Sequence, residues 1–276
     1  MKPWLAHWAF LLGLFFIGSF WTQRGSSAEF ERIGIVSAFD PELMAVEQAI
    51  IPKTAETKIK EVNGTRFRLV DLYGKHLYFF LSGVSMVNAA LTTQMAIDHF
   101  QLEAIIFSGI AGAVDPALHA GDVVVPAYWI HQIESDWLNP DLNKSGSYVL
   151  PEFYRPKYGH FEMIFPDDVR VVRKGDTRSR PVHAFPADRY LLGCAESAAN
   201  RVRLVDAKGE HRAVYIGGNA IAQVGYVNRV PVLIGRGISD LAGGQRGPNW
   251  EETYTRLASR NAALVAAATL NNMVGQ

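Results

Sequence analysis

Along this chain, short apolar runs that stop at glycine, serine or acidic residues alternate with stretches whose apolar positions recur every three or four residues. The first run, Arg32-Ile-Gly-Ile-Val-Ser-Ala-Phe-Asp40, predicts a strand passing into a loop. Asp40-Pro41-Glu42 then opens a helix, because proline suits the first helical position and acids are favoured in the first turn. Leu43, Val46 and Ile50 share one face of it. Residues 66–70 and 76–81 predict two strands joined through Tyr73-Gly74. A helix N-capped by Ser85 follows, with Val87, Ala90, Leu91 and Met95 expected on its buried face. Residues 104–114 predict a buried strand ending in a turn at Gly109 and Gly112, where glycine permits close backbone approach.

From 128 to 186 the pattern dissolves into aromatics, prolines and mixed charge, which predicts a lid or an interface. Residues 186–202 predict a helix with Leu191, Leu192 and Ala195 inward, 213–216 a strand ending at Gly217-Gly218, and 220–227 a short helix. Val232, Leu233 and Ile234 suit a strand covered on both faces. Asn249 with Glu252 approximates a capping box ahead of a long helix whose inner face carries Leu257, Leu264 and Val265. Strands alternating with helices, without an internal repeat, predict α/β architecture.

Composition changes this picture mainly at the N-terminus. Residues 4–21 are almost wholly apolar, follow Lys2, and give way to Gln23-Arg-Gly-Ser-Ser-Ala28. The small residues ending at Ala28 resemble a signal-peptidase site, so residues 1–28 are expected to be a signal peptide. The chain is then exported, periplasmic or secreted, 29–276 forms one domain, and no membrane is expected as a partner once the segment is cleaved. An uncleaved membrane anchor is the alternative, since eighteen apolar residues suffice to span a bilayer.

Removing 1–28 leaves a net charge of −2, which argues against a polyanion-binding face and for a small-molecule partner rather than nucleic acid. Cys194 stands alone and is expected to be a small, partly buried side chain. His131, His160 and His183 lack paired metal-ligand spacing, so no metal site is assigned. The Gly109 turn lacks the Lys-Ser/Thr of a phosphate-binding loop, and the chain calls for no cofactor.

The chemistry concentrates where the 232–234 run meets Arg236, Ser239 and Asp240. In open α/β sheets ligands gather at the carboxyl ends of such strands. Glu42 stands at an equivalent handover from strand to helix. Taken singly, Asp240 could cap a turn with Arg236 as its ion partner, and Glu42 could merely complement a helix dipole.

Five fragments in order alter that balance. Ile33-Gly-Ile-Val-Ser-Ala-Phe-Asp-Pro-Glu42, Ser82-Gly-Val-Ser-Met-Val-Asn-Ala-Ala90, Ser108-Gly-Ile-Ala-Gly-Ala113 with Gly121-Asp-Val-Val-Val125, Asn219-Ala-Ile-Ala-Gln-Val224, and Arg236-Gly-Ile-Ser-Asp240 resemble the purine nucleoside phosphorylase and methylthioadenosine/S-adenosylhomocysteine nucleosidase superfamily. The resemblance implies a three-layer α/β/α domain with a central mixed, partly barrel-like sheet, a homo-oligomer, and cleavage of an N-ribosidic bond in a small nucleoside.

Carried over by position, the resemblance makes Asp240 the general acid at the leaving base, with Ser239 orienting it, and Glu42 the activator of water, with Arg236 nearby. A purine leaves poorly as an anion, so a carboxylic acid must supply a proton to its ring. Phe107 and Ile110 occupy positions beside Gly109 where phosphorylases of this family hold phosphate, which favours water as the nucleophile. Relatives carry a Met-Glu pair that grips the ribose, and Ile216 and Gly217 stand there instead. The base-binding segment upstream, glycine- and serine-rich in relatives, reads Cys194-Ala-Glu-Ser-Ala-Ala199. The expectation is therefore a nucleosidase acting on a purine nucleoside or 5′-substituted adenosine. A non-catalytic nucleoside-binding or storage protein on the same fold and a phosphorylase are the alternatives.

Overall fold

The computed structural model describes residues 30–131, 135–160, 162–216, 223–241 and 250–275, the side chains of 250–254 excepted. Arg32–Ser37 (β1) and Asp40–Ile50 (α1) lead into the strands Thr57–Val62 (β2), Thr65–Leu72 (β3) and Lys75–Leu81 (β4). Met86–Phe100 (α2), Ala104–Ala113 (β5) and Val123–Val125 (β6) follow. Six short strands come next: Tyr128–Ile130 (β7), Ser135–Trp137 (β8), Ile164–Pro166 (β9), Val169–Val171 (β10), Arg180–Val182 (β11) and Ala184–Pro186 (β12). The rest comprises Arg189–Ala199 (α3), Leu204–Val205 (β13), His211–Arg212 (β14), Val214–Ile216 (β15), Gln223–Asn228 (α4), Val232–Leu241 (β16) and Trp250–Met273 (α5).

Eight strands form one mixed sheet in the order β15-β6-β16-β5-β1-β4-β3-β2. β16, β5, β1 and β4 run parallel at its centre, while β2 and β3 are antiparallel neighbours and β6 runs against β16. Side chains alternate between the two faces, as the period of a strand requires. Ile33, Ile35, Leu77, Phe79, Ala104 and Ile106 pack with Val46 and Ile50 of α1, Leu191 and Ala195 of α3, and Val265, Ala266 and Leu270 of α5. Val36, Phe67, Phe80 and Ile105 pack on the other face with Ala96, Ile97 and Phe100 of α2 and Val224 of α4. These are the three α/β/α layers.

Local chemistry sets several boundaries. Tyr73 (φ 56°) and Gly74 (φ 71°) make the two-residue turn between β3 and β4 with both central residues left-handed, the geometry that matches strand twist. Ser85 caps α2 by accepting the Asn88 N–H at 3.3 Å. Asp188 caps α3, accepting the Tyr190 and Leu191 N–H groups at 2.9 and 3.1 Å, so this helix starts later and ends earlier than its apolar pattern predicts.

Three expectations are corrected. Val87 and Leu91 do not face the core: they are 67% and 66% exposed, and α2 buries Ala96, Ile97 and Phe100 instead. The helix is apolar on two sides, and periodicity does not say which side this chain covers. Residues 128–186 are not patternless: their strands pair antiparallel as β7–β12, β8–β9 and β10–β11, each too short for alternation to register. β2, mostly exposed, carries no apolar alternation and was not expected at all. The 220–227 helix is described only from Gln223 onward, and the Asn249 cap, Gly217 and residues 1–28 lie outside the described residues.

Candidate active site

Glu42 sits in the first turn of α1, just beyond the carboxyl end of β1, and is 2% exposed. Its Oε2 accepts the Ala38 N–H at 2.7 Å and its Oε1 the Ile110 N–H at 2.7 Å. Burial pushes its carboxyl above the ordinary value; the two amides and the charge of Arg236 pull in the other direction without cancelling it. A carboxyl so placed is a base of raised proton affinity, which is what water activation near neutral pH requires.

Arg236 lies opposite Gly109 in the β16–β5 register. Its guanidinium stacks on the Phe107 ring at 4.4 Å and donates through Nη1 to the Ile110 carbonyl at 3.3 Å. Burial lowers its pKa and the Glu42 charge opposes that, but an arginine stays cationic. Gly109 makes the approach possible: a Cβ there would lie 2.5 Å from Arg236 Nη1 and 2.8 Å from Glu42 Oε1. Close packing around the two charged groups is thus the reason for glycine here; the turn expected at Gly109 and Gly112 does not form, because β5 runs on through both in register with β16.

Farther along β16 the register against β5 shifts between Ile238 and Asp240, leaving Ser239 as a bulge residue. Bulges re-aim side chains. Here the Ser239 hydroxyl donates to Asp240 Oδ1 at 2.6 Å. Asp240 pairs with Gly112, two residues beyond Ile110 on β5, which sets its backbone about 7 Å past the Glu42 anchor. Ser239 is buried and Asp240 half-buried.

The structure therefore brings Glu42, Arg236, Gly109 and Ile110 into contact and holds Ser239 with Asp240 on the neighbouring strand. Ile216 ends β15 opposite Val125, one residue past the level of Arg236, which faces Val124, and two strands, about 10 Å, away. Three supports escaped the sequence reading. The Ala38 and Ile110 amides that hold Glu42 are backbone groups and leave no residue signature. Ser37 is buried and donates to the Ser108 carbonyl at 2.8 Å, tying β1 to β5. Asp122, also buried, accepts from His119 and Ala213 N–H groups at 2.8 Å each and fastens β6 beside β15; its place in the Gly121-Asp pair was the available signal. Beside these loops a cleft of about 520 Å³ opens between Asp40, Met44, Arg66, Ser82 and Gly83.

A sequence model of the family described as Phosphorylase superfamily matches residues 32–216, about two thirds of the chain. The chain belongs to the phosphorylase superfamily. Among its relatives in this superfamily, the 5′-methylthioadenosine/S-adenosylhomocysteine nucleosidase of Listeria monocytogenes serotype 4b (strain F2365) is 29% identical over 241 residues, covering 84% of this chain and 95% of its own. That of Marinomonas sp. (strain MWYL1) is 27% identical over 238 residues with the same coverage. Among solved structures, the Neisseria meningitidis 5′-methylthioadenosine/S-adenosylhomocysteine nucleosidase in complex with methylthio-immucillin-A superposes with a TM-score of 0.60 at 19% identity, covering 87% of this chain and 98% of that one. Futalosine hydrolase of Helicobacter pylori gives 0.58 at 17%, covering 87% and 97%. These superpositions show the fold.

Proposed function

We propose that this chain is a hydrolytic nucleosidase that cleaves the N-ribosidic bond of a purine nucleoside or 5′-substituted adenosine. The observation that carries the reading is the pairing, on neighbouring elements, of a buried carboxylate of raised proton affinity, Glu42, with a half-buried, hydroxyl-supported carboxyl, Ser239–Asp240. The relatives' names point to the same chemistry. In the step, a water molecule gives a proton to Glu42 as its oxygen bonds to the anomeric carbon. The electrons of the carbon–nitrogen bond leave with the base, which takes a proton from Asp240. Ser239 holds that carboxyl in place, and the fixed charge of Arg236 keeps Glu42 ionisable in its buried setting.

Water rather than phosphate fits the site, because Ile110 offers an apolar side chain and Arg236 is already engaged by Phe107, the Ile110 carbonyl and the charge of Glu42. Gly217, with no carboxylate for the ribose hydroxyls, favours the second reading, a non-catalytic nucleoside-binding protein on the same fold. The apolar segment at 4–21 supports export to the periplasm or beyond, with residues 1–28 either removed after Ala28 or kept as an anchor. Exposed Val84, Val87 and Leu91 support a homo-oligomer.

A nucleoside panel assayed for released base, with and without phosphate, tests the reading. Free base and free ribose, independent of phosphate, are expected. A ribose 1-phosphate product would make the chain a phosphorylase; tight binding without turnover would make it a binding protein.

A further inference from the structure

The β10–β11 hairpin carries a concentration of positive charge that the candidate site does not use. Arg170, Arg173, Lys174, Arg178 and Arg180 occupy residues 170–180 with Asp176 as the one acid, and Arg229 at the end of α4 packs against them. Together these residues sum to +5, whereas the whole of 29–276 sums to −2, so the remainder of the domain is acidic. The hairpin is fastened on one side. Asp176 is shared by Arg180 and Arg229, Arg173 stacks on Tyr226 at 4.1 Å, and the Lys174 N–H donates to the Val227 carbonyl at 2.7 Å. Arg170, Lys174 and Arg178 remain exposed with no carboxylate partner among the described residues, and Val172 beside them is 51% exposed.

The place of this hairpin in the fold matters as much as its charge. Arg229 precedes Pro231, whose carbonyl accepts the Ile105 N–H, and the Glu103 N–H donates to Arg32. The hairpin is therefore clamped at the end of the sheet where the parallel strands begin. β1 begins there too, two strands from β16, about 10 Å. The chain coming from the apolar 4–21 stretch reaches the domain at the same end. Asp240, eight residues up β16, lies about 26 Å toward the other.

We propose that the β10–β11 hairpin rests on an anionic phospholipid surface, with Arg170, Lys174 and Arg178 at the headgroups and Val172 against their apolar boundary. Clustered cations are held by an anionic leaflet within a Debye length, and the acidic remainder of the domain is turned away from it. A long polyanion such as duplex DNA would meet that acidic remainder, whereas a flat bilayer at one end does not. In this orientation the candidate site opens away from the membrane, toward water-borne substrate. The inference rests on reading residues 1–28 as an export segment.

The full chain is mixed with phosphatidylcholine vesicles with or without phosphatidylglycerol, with Ser179→Cys carrying a polarity-sensitive fluorophore; Cys194 is buried. A blue shift confined to the anionic vesicles, reversed by high salt and abolished by the Arg170→Gln/Lys174→Gln/Arg178→Gln combination, is expected, with unchanged circular dichroism. Equal emission with both vesicle types, a shift that survives the triple change, or an equal shift with duplex DNA and neutral vesicles would overturn it. Co-sedimentation with neutral vesicles reports separately on the N-terminal segment, so failure of the anchor and failure of the hairpin give different results.

Discussion

Glu42 and Arg236 meet at Ile110: the carboxylate takes its N–H at 2.7 Å, and the guanidinium donates to its carbonyl at 3.3 Å. The charge of Arg236 is one of the influences lowering the proton affinity of Glu42 against burial. Removing it with Arg236→Met raises the Glu42 pKa further, so the acid limb of the kcat/KM profile is expected to move to higher pH. A pH profile of base release checks this; an unmoved limb would separate Arg236 from Glu42.

The raised pKa of Glu42 also has a sign in stability. The folded state holds this proton to higher pH than the unfolded chain does, so the associated stability is full below the ordinary carboxylate range and is lost as pH rises through the folded value. Glu42→Gln cannot ionise, and its unfolding free energy is expected to lack this decline. Urea titrations of both proteins across the acidic to neutral range measure the difference. The same variant is expected to lose about 10²–10⁴-fold in base release.

Three glycines near the site should respond differently to alanine. At Gly109 the new methyl meets Arg236 and Glu42, so activity is expected to fall at least about tenfold at a stability cost of about 1–3 kcal/mol. At Gly237 it would meet the Ala258 backbone at 2.1 Å, and a loss of about 3 kcal/mol or more is expected. At Gly235 it meets nothing within 4 Å, and Gly235→Ala is expected to be neutral or to stabilise by about 0.4–1 kcal/mol. Urea unfolding beside kcat/KM separates the three.

Asp240→Asn is expected to reduce base release by about 10²–10⁴-fold with the fold intact. Ser239→Ala removes one hydrogen bond to that carboxyl, worth about 1.5–3 kcal/mol to a charged group, and is expected to cost about 10–100-fold. Wild-type kcat in Asp240→Asn would remove it from the mechanism.

At Gly217 no carboxylate is available to accept the ribose hydroxyls, so the chain is expected to treat ribo- and 2′-deoxyribonucleosides nearly alike, and Gly217→Glu to introduce a preference for ribose. Competition between the two sugars for one base measures it; a strong ribose preference in the wild type would place the sugar contact elsewhere.

Much of this protein is legible from residue order alone. The parallel core strands declared themselves as apolar runs, α1 by Pro41 and its acids, and the β3–β4 turn by Tyr73-Gly74, because each is set by local sterics and by burial on two faces. Glu42, Arg236, Ser239 and Asp240 stood out as polar groups where apolar runs stop, but each also had a plain structural use as a cap, an ion partner or a complement to a helix dipole, and only the family resemblance gave them roles. The tertiary structure decided the rest. Whether α2 turns Val87 or Ile97 to the sheet depends on what lies across from it, since both faces are apolar. That Glu42 is held by the amides of Ala38 and Ile110, and that Gly109 must be glycine, follows from strands brought side by side across 68 residues of chain. The bulge at Ser239 is a property of register between β16 and β5, which neither strand encodes alone, and it is what sets a serine hydroxyl against Asp240.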